Sequence, residues 1–373
     1  MRIFHTSDWH LGRMLYGRSL LEDQRHFLEK ALLPAIEREK PAGLLLCGDV
    51  YDRPVAPAEA IALFDRALSR LVELGVKVCV IPGNHDGAQR MALLKGALRK
   101  SGVFFATSLE DSLSPVLLEE GGQRVQVFPL PFFDTPTARD FLGDPTLRGE
   151  AACMEKLLQK LYPLFEPGAA HVLMAHCFCA GSVVGDSESG AFVGGSGQIP
   201  PALFERFDYV ALGHLHGHQR AGGNARYCGT PLKYSLDEAG QEKGFLVLDW
   251  EGGKPSIRHQ EAMPLRDVRK IEGPFAGLLA QGEACPCEDY VELCLTDKSP
   301  VLLASQRLRP FYPNLLAVRN QWALEGAAGK RALSLQGARE DAVFAAFFQE
   351  VCGTAPEEAD MALFQEVWKE VRL

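Results

Sequence analysis

Arg2-Ile3-Phe4-His5-Thr6-Ser7-Asp8-Trp9-His10 is a short apolar run that ends in an acid and an imidazole. Its first part, Arg2–Thr6, reads as a buried strand by length and by the turn residues that follow. Asp8 and His10 then stand two residues apart just past the strand, where both can aim at one point beyond the sheet. Four further segments repeat this device: Gly48-Asp49, Gly83-Asn84-His85-Asp86, Ala175-His176 and Gly213-His214-Leu215-His216. Together the segments hold enough carboxylate, imidazole and amide groups for two adjacent divalent metals. Phosphoester hydrolysis most needs such a pair, one ion to activate a water and both to hold the phosphoryl charge.

Outward from these tips, short apolar runs alternate with helical patterns over the first 250 or so residues. Gly43–Cys47, Lys77–Ile81, Val125–Leu130, His171–Ala175 and Tyr209–Leu212 read as further buried strands. Glu22–Lys40, Pro57–Leu74 and Ala88–Ser101 read as helices. In the second helix Ile61, Phe64, Leu68 and Leu71 share one face, with Pro57 suited to its start and Gly75 to its end. The alternation implies a layered α/β fold, with the candidate ligands at the C-terminal tips of the strands, where loops converge into a site. Arg226–Gly229 and Gly244–Trp250 are expected to finish a second sheet. Beyond residue 262 or so the pattern changes to strands at Tyr290–Leu295 and Leu315–Arg319, then helices at Glu340–Val351 and Glu357–Val371. This divides the chain into a domain over 1–262 and a smaller α+β domain over 263–373. The last helix carries an apolar stripe, Met361, Phe364, Val367, Trp368 and Val371, that packs on its own domain or docks a partner.

Composition narrows the class. With 373 residues, 47% of them hydrophobic and 23% charged, the chain can bury a large core. No apolar run reaches the ~20 residues of a membrane span, and the N-terminus lacks the pattern of a signal peptide, so no membrane role and a cytoplasmic location are expected. Ten cysteines are scattered, with Cys47 and Cys79 inside apolar strands, which suits reduced core residues. Cys177/Cys179 and Cys285/Cys287 lack a second half at zinc-finger spacing. The net charge of −9 argues against passive adhesion to nucleic acid, although a local basic strip would suffice for a DNA substrate.

Each candidate has a plainer alternative: a single histidine at a strand end is commonly a hydrogen-bonded structural residue, and Asp49 alone could cap a turn. All five segments occurring together make a structural explanation of the set untenable. An acid beside Gly48 can approach closely and bridge two ions with its two oxygens; Asn84 offers a carbonyl oxygen; His176, His214 and His216 add nitrogens. Oxygen and imidazole donors without thiolate suit manganese, iron or zinc better than calcium. His85, directly after Asn84, should lie near a bound phosphate, where an imidazole can donate a proton to the leaving oxygen or stabilise developing charge. Asp52 or Asp86 could orient it. The Gly- and Ser-rich segment Gly181–Gly197, with Asp186 and Glu188, reads as a surface loop that could border the substrate path.

In this order the five segments resemble the calcineurin-type metallophosphoesterase superfamily. The resemblance implies a four-layer sandwich of two mixed sheets flanked by helices, with Asp8, His10, Asp49 and His216 at one metal and Asp49, Asn84, His176 and His214 at the other. Asp49 would bridge, and His85 would be the catalytic histidine. Residues between the motifs resemble one branch more closely, the SbcD-type nuclease subunits of bacterial SbcC–SbcD complexes. These are His5–Gly12, Gly48–Arg53, Gly83–Arg90, Tyr209–Gln219, Tyr227–Glu238 and Leu308–Leu316; Thr230 replaces the family's usual Ser and keeps the hydroxyl. That likeness implies manganese-dependent cleavage of DNA phosphodiesters, as an exonuclease at duplex ends and an endonuclease in hairpin or single-stranded structures, in DNA repair, replication and recombination. It also implies a homodimer within a heterotetramer, an SbcC-type coiled-coil ATPase partner, and a second domain that positions DNA. Lys233 and Tyr234 are candidate DNA contacts. The rival readings are a phosphatase or cyclic-nucleotide phosphodiesterase on the same scaffold, and a non-catalytic scaffold subunit.

Overall fold

Two six-stranded sheets face each other in the computed structural model, which describes residues 1–185, 188, 197–321, 341, 343–345, 348 and 355–371. The first sheet runs Ser256–Glu261, Gly244–Asp249, Arg2–Thr6, Gly43–Cys47, Lys77–Ile81, Val103–Phe105. Its last four strands are parallel and its first two antiparallel. The second runs Gln219–Arg220, Ala225–Tyr227, Tyr209–Gly213, Ala170–His176, Gln123–Pro129, Val116–Glu120, with four parallel strands between antiparallel edges. Gly244–Asp249 thus joins the first sheet, pairing with Arg2–Thr6 in the register Arg2↔Asp249, and not the second sheet as expected. A return strand reads only as an apolar run, which does not say which sheet edge it closes.

Strand periodicity sorts the core into layers. Ile3, Leu45, Cys47, Cys79 and Ile81 pack between the sheets with Val127, Val172, Met174 and Ala211. Their neighbours Phe4, Leu44, Leu46, Val78 and Val80 pack against Phe27, Leu32, Ile36, Leu63 and Leu71 of the helices outside the first sheet. Phe128, Leu173, Val210 and Leu212 do the same with Met154, Leu157 and Leu161 of helix Gly149–Leu161 outside the second. Runs buried on both faces are what made these strands readable as unbroken apolar stretches.

The helices depart from expectation in detail. Residues 21–39 are helical throughout but loosen to π-helix over Phe27–Leu32, just before Pro34, which has no N–H to donate. In Ala58–Glu73 the buried stripe is Ala60, Leu63, Phe64, Ala67 and Leu71, and Ile61 is half exposed. Small alanines let the helix sit close to the sheet, so the stripe is rotated from the one that large apolar residues suggest. Ala88–Ser101 is two short helices, Ala88–Met91 and Lys95–Arg99, broken where Leu94 takes a left-handed φ of 60°.

Past the sandwich, Val268–Gly273, Tyr290–Leu295 and Leu315–Asn320 form a parallel three-stranded sheet. Helices Phe275–Ala284 and Ala304–Leu308 cover it around Val291, Leu293, Leu308 and Tyr312. Its first strand and helix were not foreseen. The sheet is tied to the sandwich by Asp23, which accepts from Arg266 Nε at 2.9 Å, Arg266 Nη2 at 2.8 Å and the Tyr290 hydroxyl at 2.9 Å. Of the helix expected over Glu340–Val351, residues 341, 343–345 and 348 are described, all helical. The last helix spans Glu358–Val371, and Phe364 stacks on Phe344 with ring centroids 4.2 Å apart, while Val367 and Trp368 are exposed. The Val371 side chain and most of Gly181–Gly197, including Asp186, lie outside the described residues. No helix among the described residues is long and apolar enough to cross a membrane.

Candidate metal centre

Backbone pairing continues past the strand ends and carries the tips into one place. Asp8 N–H donates to Gly48 O, His10 N–H to Asp49 O and Leu11 N–H to Val50 O, at 2.9–3.0 Å. Asp8, His10, Asp49 and His214 all take positive φ, from 44° to 109°, conformations non-glycine residues adopt only where their surroundings over-determine them. A Cβ at Gly48 would overlap the His176 ring, and one at Gly83 the Asp49 carboxylate. That is the physical reason Asp49 and Asn84 each follow a glycine.

The donors converge in two overlapping groups. Asn84 Oδ1 lies 3.0 Å from both His176 Nε2 and His214 Nδ1, and those two nitrogens are 3.3 Å apart. Asp49 Oδ2 is 3.3 Å from His176 Nε2 and 3.7 Å from His10 Nε2, so this oxygen sits between two imidazoles on opposite sides of the cluster. Asp8, His10 and Asp49 form a compact triad of possible ligand atoms, and the His216 ring lies 5.1 Å from that of His10, centroid to centroid. Asp8 also accepts the His214 N–H at 3.0 Å.

Whether these residues suit metal ions is tested by His10. Its ring is buried, and neither nitrogen has a hydrogen-bond partner among the described residues. A buried polar atom left so costs about 1–3 kcal/mol, a loss that ligation of an ion would reverse. Electrostatics agrees. Burial holds the His10 imidazole well below its ordinary value and so keeps it neutral, as a ligand must be. Burial raises the Asp8 carboxyl to about 6, with Asp49 adding to it. Against burial, Asp49 raises His176, and His176 in turn holds Asp49 low. Carboxylates this close, in a pocket without Lys or Arg among its donors, favour cations and repel phosphate until cations are bound. The donor set fits divalent metal.

His85 stands over this cluster, its ring centroid 4.8 Å from that of His10. Its N–H donates to Asp49 Oδ1 at 2.8 Å, and its Nδ1 lies 3.0 Å from the Asp52 main-chain oxygen. A carbonyl only accepts, so Nδ1 carries the proton and Nε2 is the nitrogen turned to substrate. The orienting group is therefore the backbone of Asp52, not a carboxylate. The Asp52 side chain binds Arg13 at 2.8 Å, and Asp86 accepts N–H groups of Val50, Tyr51 and Gly83 at 2.9–3.0 Å.

Lys233 and Tyr234, the candidate DNA contacts, have their polar tips engaged within the protein. Tyr234 is buried with its hydroxyl donating to Trp9 O. Lys233 Nζ reaches Ala239 O at 2.8 Å and Asp267 at 2.9 Å, tying the sandwich to the three-stranded sheet. Apolar surroundings and internal acceptors claimed both tips. A cleft of about 720 Å³ beside the site is lined by Tyr16 and Tyr234 and by both signs of charge, among them Arg13, Lys270, Arg319 and Glu292; no motif signalled its three basic residues because they come from distant segments. Glu188, which the sequence placed only in a surface loop, is buried, and its carboxylate accepts the His216 N–H.

Residues 1–218 match the calcineurin-like phosphoesterases, and residues 264–351 match a domain described as the type 5 capsule protein repressor C-terminal domain. Two curated relatives both carry the name of the SbcD subunit of the nuclease SbcCD. One, from Staphylococcus epidermidis, is 31% identical over 327 residues; the other, from Staphylococcus saprophyticus subsp. saprophyticus, is 30% identical over 324 residues. Each alignment covers 86% of this chain and 85% of the relative. The chain belongs to the SbcD family of calcineurin-like phosphoesterases, the nuclease subunits of SbcCD.

Proposed function

We propose that this chain is the nuclease subunit of an SbcCD-type complex, hydrolysing DNA phosphodiesters with two divalent metals, manganese by preference. The observation that carries the reading is the convergence of donors from five strand tips around a histidine with two orphaned ring nitrogens. Asp8, His10, Asp49 and His216 would hold one ion; Asp49, Asn84, His176 and His214 the other, with Asp49 shared. The ions would supply charge neutralisation for the phosphate and an activated water. The protein's own groups do the rest. Asp49 fixes the His85 main chain and the Asp52 carbonyl accepts from its Nδ1–H, so that the ring, once protonated at both nitrogens, can pass the Nε2 proton to the leaving oxygen and return to the neutral form. Arg13, Lys270 and Arg319 in the cleft, the first paired with Asp52 and the last with Glu292, would offer cations for a DNA backbone otherwise repelled by a chain of net charge −9.

Residues 1–262 would form the nuclease domain and 263–373 the domain that positions DNA. A homodimer working with an SbcC-type coiled-coil ATPase in the cytoplasm, acting in repair, replication and recombination, is the assembly that fits the family. The test incubates the chain, with and without an SbcC-type partner, with end-labelled duplex and hairpin DNA in manganese beside His85→Ala. Cleavage should fall by about 10²–10⁴-fold in the variant while metal binding persists. Hydrolysis of small phosphoesters with no action on DNA would overturn the reading.

A further inference from the structure

Behind the metal centre lies a buried ion pair that the hydrolytic reading does not use. Glu238, on the short 3-10 turn Asp237–Gly240, is fully buried, and Lys243, at the start of the strand that returns to the first sheet, is nearly so. Lys243 Nζ is 2.6 Å from Glu238 Oε2. Two charges taken from water repay the desolvation only when geometry is good and their remaining sites are satisfied. Here they are. Glu238 also accepts the Tyr234 N–H at 3.1 Å and the Ser235 hydroxyl at 3.0 Å, and Lys243 also donates to Gln241 Oε1 at 2.9 Å.

Both members reach the same residue. Glu238 Oε1 lies 3.5 Å from His216 Nδ1, and Lys243 Nζ donates to His216 O at 2.8 Å. Thr230 N–H donates to that same oxygen at 3.0 Å, and Glu188 takes the His216 N–H. His216 is therefore gripped at its ring, its carbonyl and its amide. We propose that the Glu238–Lys243 pair is a positioning device for His216, with Glu238 holding the proton on Nδ1 so that the ring presents Nε2 as its lone-pair nitrogen to the metal centre. Lys243 serves twice: it keeps Glu238 charged in a site closed to water, and it pins the main chain of the loop bearing the ligand. The inference rests on the metal reading of His216. It explains why the run Tyr234-Ser235-Leu236-Asp237-Glu238 belongs to the site although none of its residues stands among the expected ligands.

The test uses the full chain and reads metal and tautomer, not turnover. Manganese uptake is measured by titration calorimetry for the parent, Glu238→Gln, and the double variant Glu238→Gln/Lys243→Met, which removes both charges together. The His216 tautomer is read from long-range proton–nitrogen NMR spectra of the metal-free protein. Loss of an orienting partner of this kind weakens metal affinity by about 10–100-fold, so one of the two sites should weaken by that factor in Glu238→Gln. The His216 signals should shift from the Nδ1–H form toward a mixture. The double variant should melt near the parent temperature yet keep the weakened site, which separates positioning from folding. If Glu238→Gln does not fold, the double variant carries the comparison alone. Two tight sites and an unchanged His216 tautomer in whichever variant folds would overturn the proposal. A parent that binds no manganese would instead sink the metal reading beneath it.

Discussion

His5 offers a quantitative test of how the two sheets are held together beneath the site. It lies in the central strand Arg2–Thr6 of the first sheet, fully buried, and its ring crosses to the second: Nδ1 is 2.9 Å from the Tyr209 hydroxyl and Nε2 is 3.2 Å from Leu212 O. The carbonyl can only accept, so Nε2 carries the proton and Nδ1 accepts from Tyr209. Both nitrogens are satisfied in the neutral form, and a second proton, on Nδ1, would take away the lone pair that the Tyr209 hydroxyl donates to. Burial accordingly holds the imidazole down to about 3, from an ordinary value of 6.5. A depressed histidine contributes stability that is present above the unfolded value and lost as pH falls, because the unfolded chain takes up a proton that the fold refuses. Between pH 7.5 and 5.5 the loss integrates to about 1.4 kcal/mol, and by pH 3 it reaches about 4 kcal/mol.

His5→Gln removes the titration and keeps hydrogen-bonding capacity. At pH 7.5 the variant should be less stable by about 1–3 kcal/mol, the range for a disturbed buried hydrogen-bond pair. At pH 5.5 that deficit should shrink by about 1.4 kcal/mol, because only the parent loses the His5 contribution. Urea denaturation of both proteins at the two pH values, at one fixed manganese concentration, reads this directly; acid effects on the metal ligands are common to both and subtract out. A deficit that is unchanged or larger at pH 5.5 would refute the neutral, inter-sheet role of His5.

Three further outcomes follow from the same contacts. Asp23→Ala strips Arg266 and the buried Tyr290 hydroxyl of their shared acceptor; since Arg266 is partly exposed, the expected loss is about 3 kcal/mol, and a denaturation midpoint within about 0.5 kcal/mol of the parent would count against the tie. Gly48→Ala puts a methyl group into the His176 ring at a φ of +88°, so it should destabilise by at least about 2 kcal/mol and weaken manganese uptake; normal uptake in calorimetry would show that the tips are looser than drawn. Manganese present at 100 times its dissociation constant should stabilise the chain by about 2.7 kcal/mol over the same chain in chelator, measured as a rise in melting temperature; an unmoved melt would argue against a metal site in the folded state.

The layers of the fold were legible because the central strands are buried on both faces, so Gly43–Cys47 and Lys77–Ile81 appear as unbroken apolar runs between turn residues. Half-exposed strands were not: Ser256–Glu261 buries nothing fully, and Val268–Gly273 buries only Val268. The breaks inside helices escaped as well, since Leu93 and Leu94 have good helical propensity and nothing in composition reports the left-handed turn at Leu94. The candidate ligands were legible for a different reason. Each sits within a few residues of a strand end, so the chain's local order already places it at the rim where the parallel strands stop.

What surrounds those ligands follows the opposite rule. His5 meets Tyr209, His216 meets Glu238 and Lys243, and Asp23 meets Arg266 and Tyr290, and each pairing depends on which strands become neighbours. A carboxylate such as Glu238 is one of 48 acids in the chain, and only its burial beside Lys243 distinguishes it. The backbone makes the same point. Asp8, His10, Asp49 and His214 hold left-handed conformations, each disfavoured on its own by about 1–3 kcal/mol. Local sequence therefore resists the very geometry that gathers the donors. That resistance is overcome by the ladder joining Asp8, His10 and Leu11 to the loop after Gly43–Cys47, a ladder that forms only once both strands are side by side. The site is thus a product of the assembled sheets, and damage to an inter-sheet contact such as His5 should reach the metal centre although it touches no ligand.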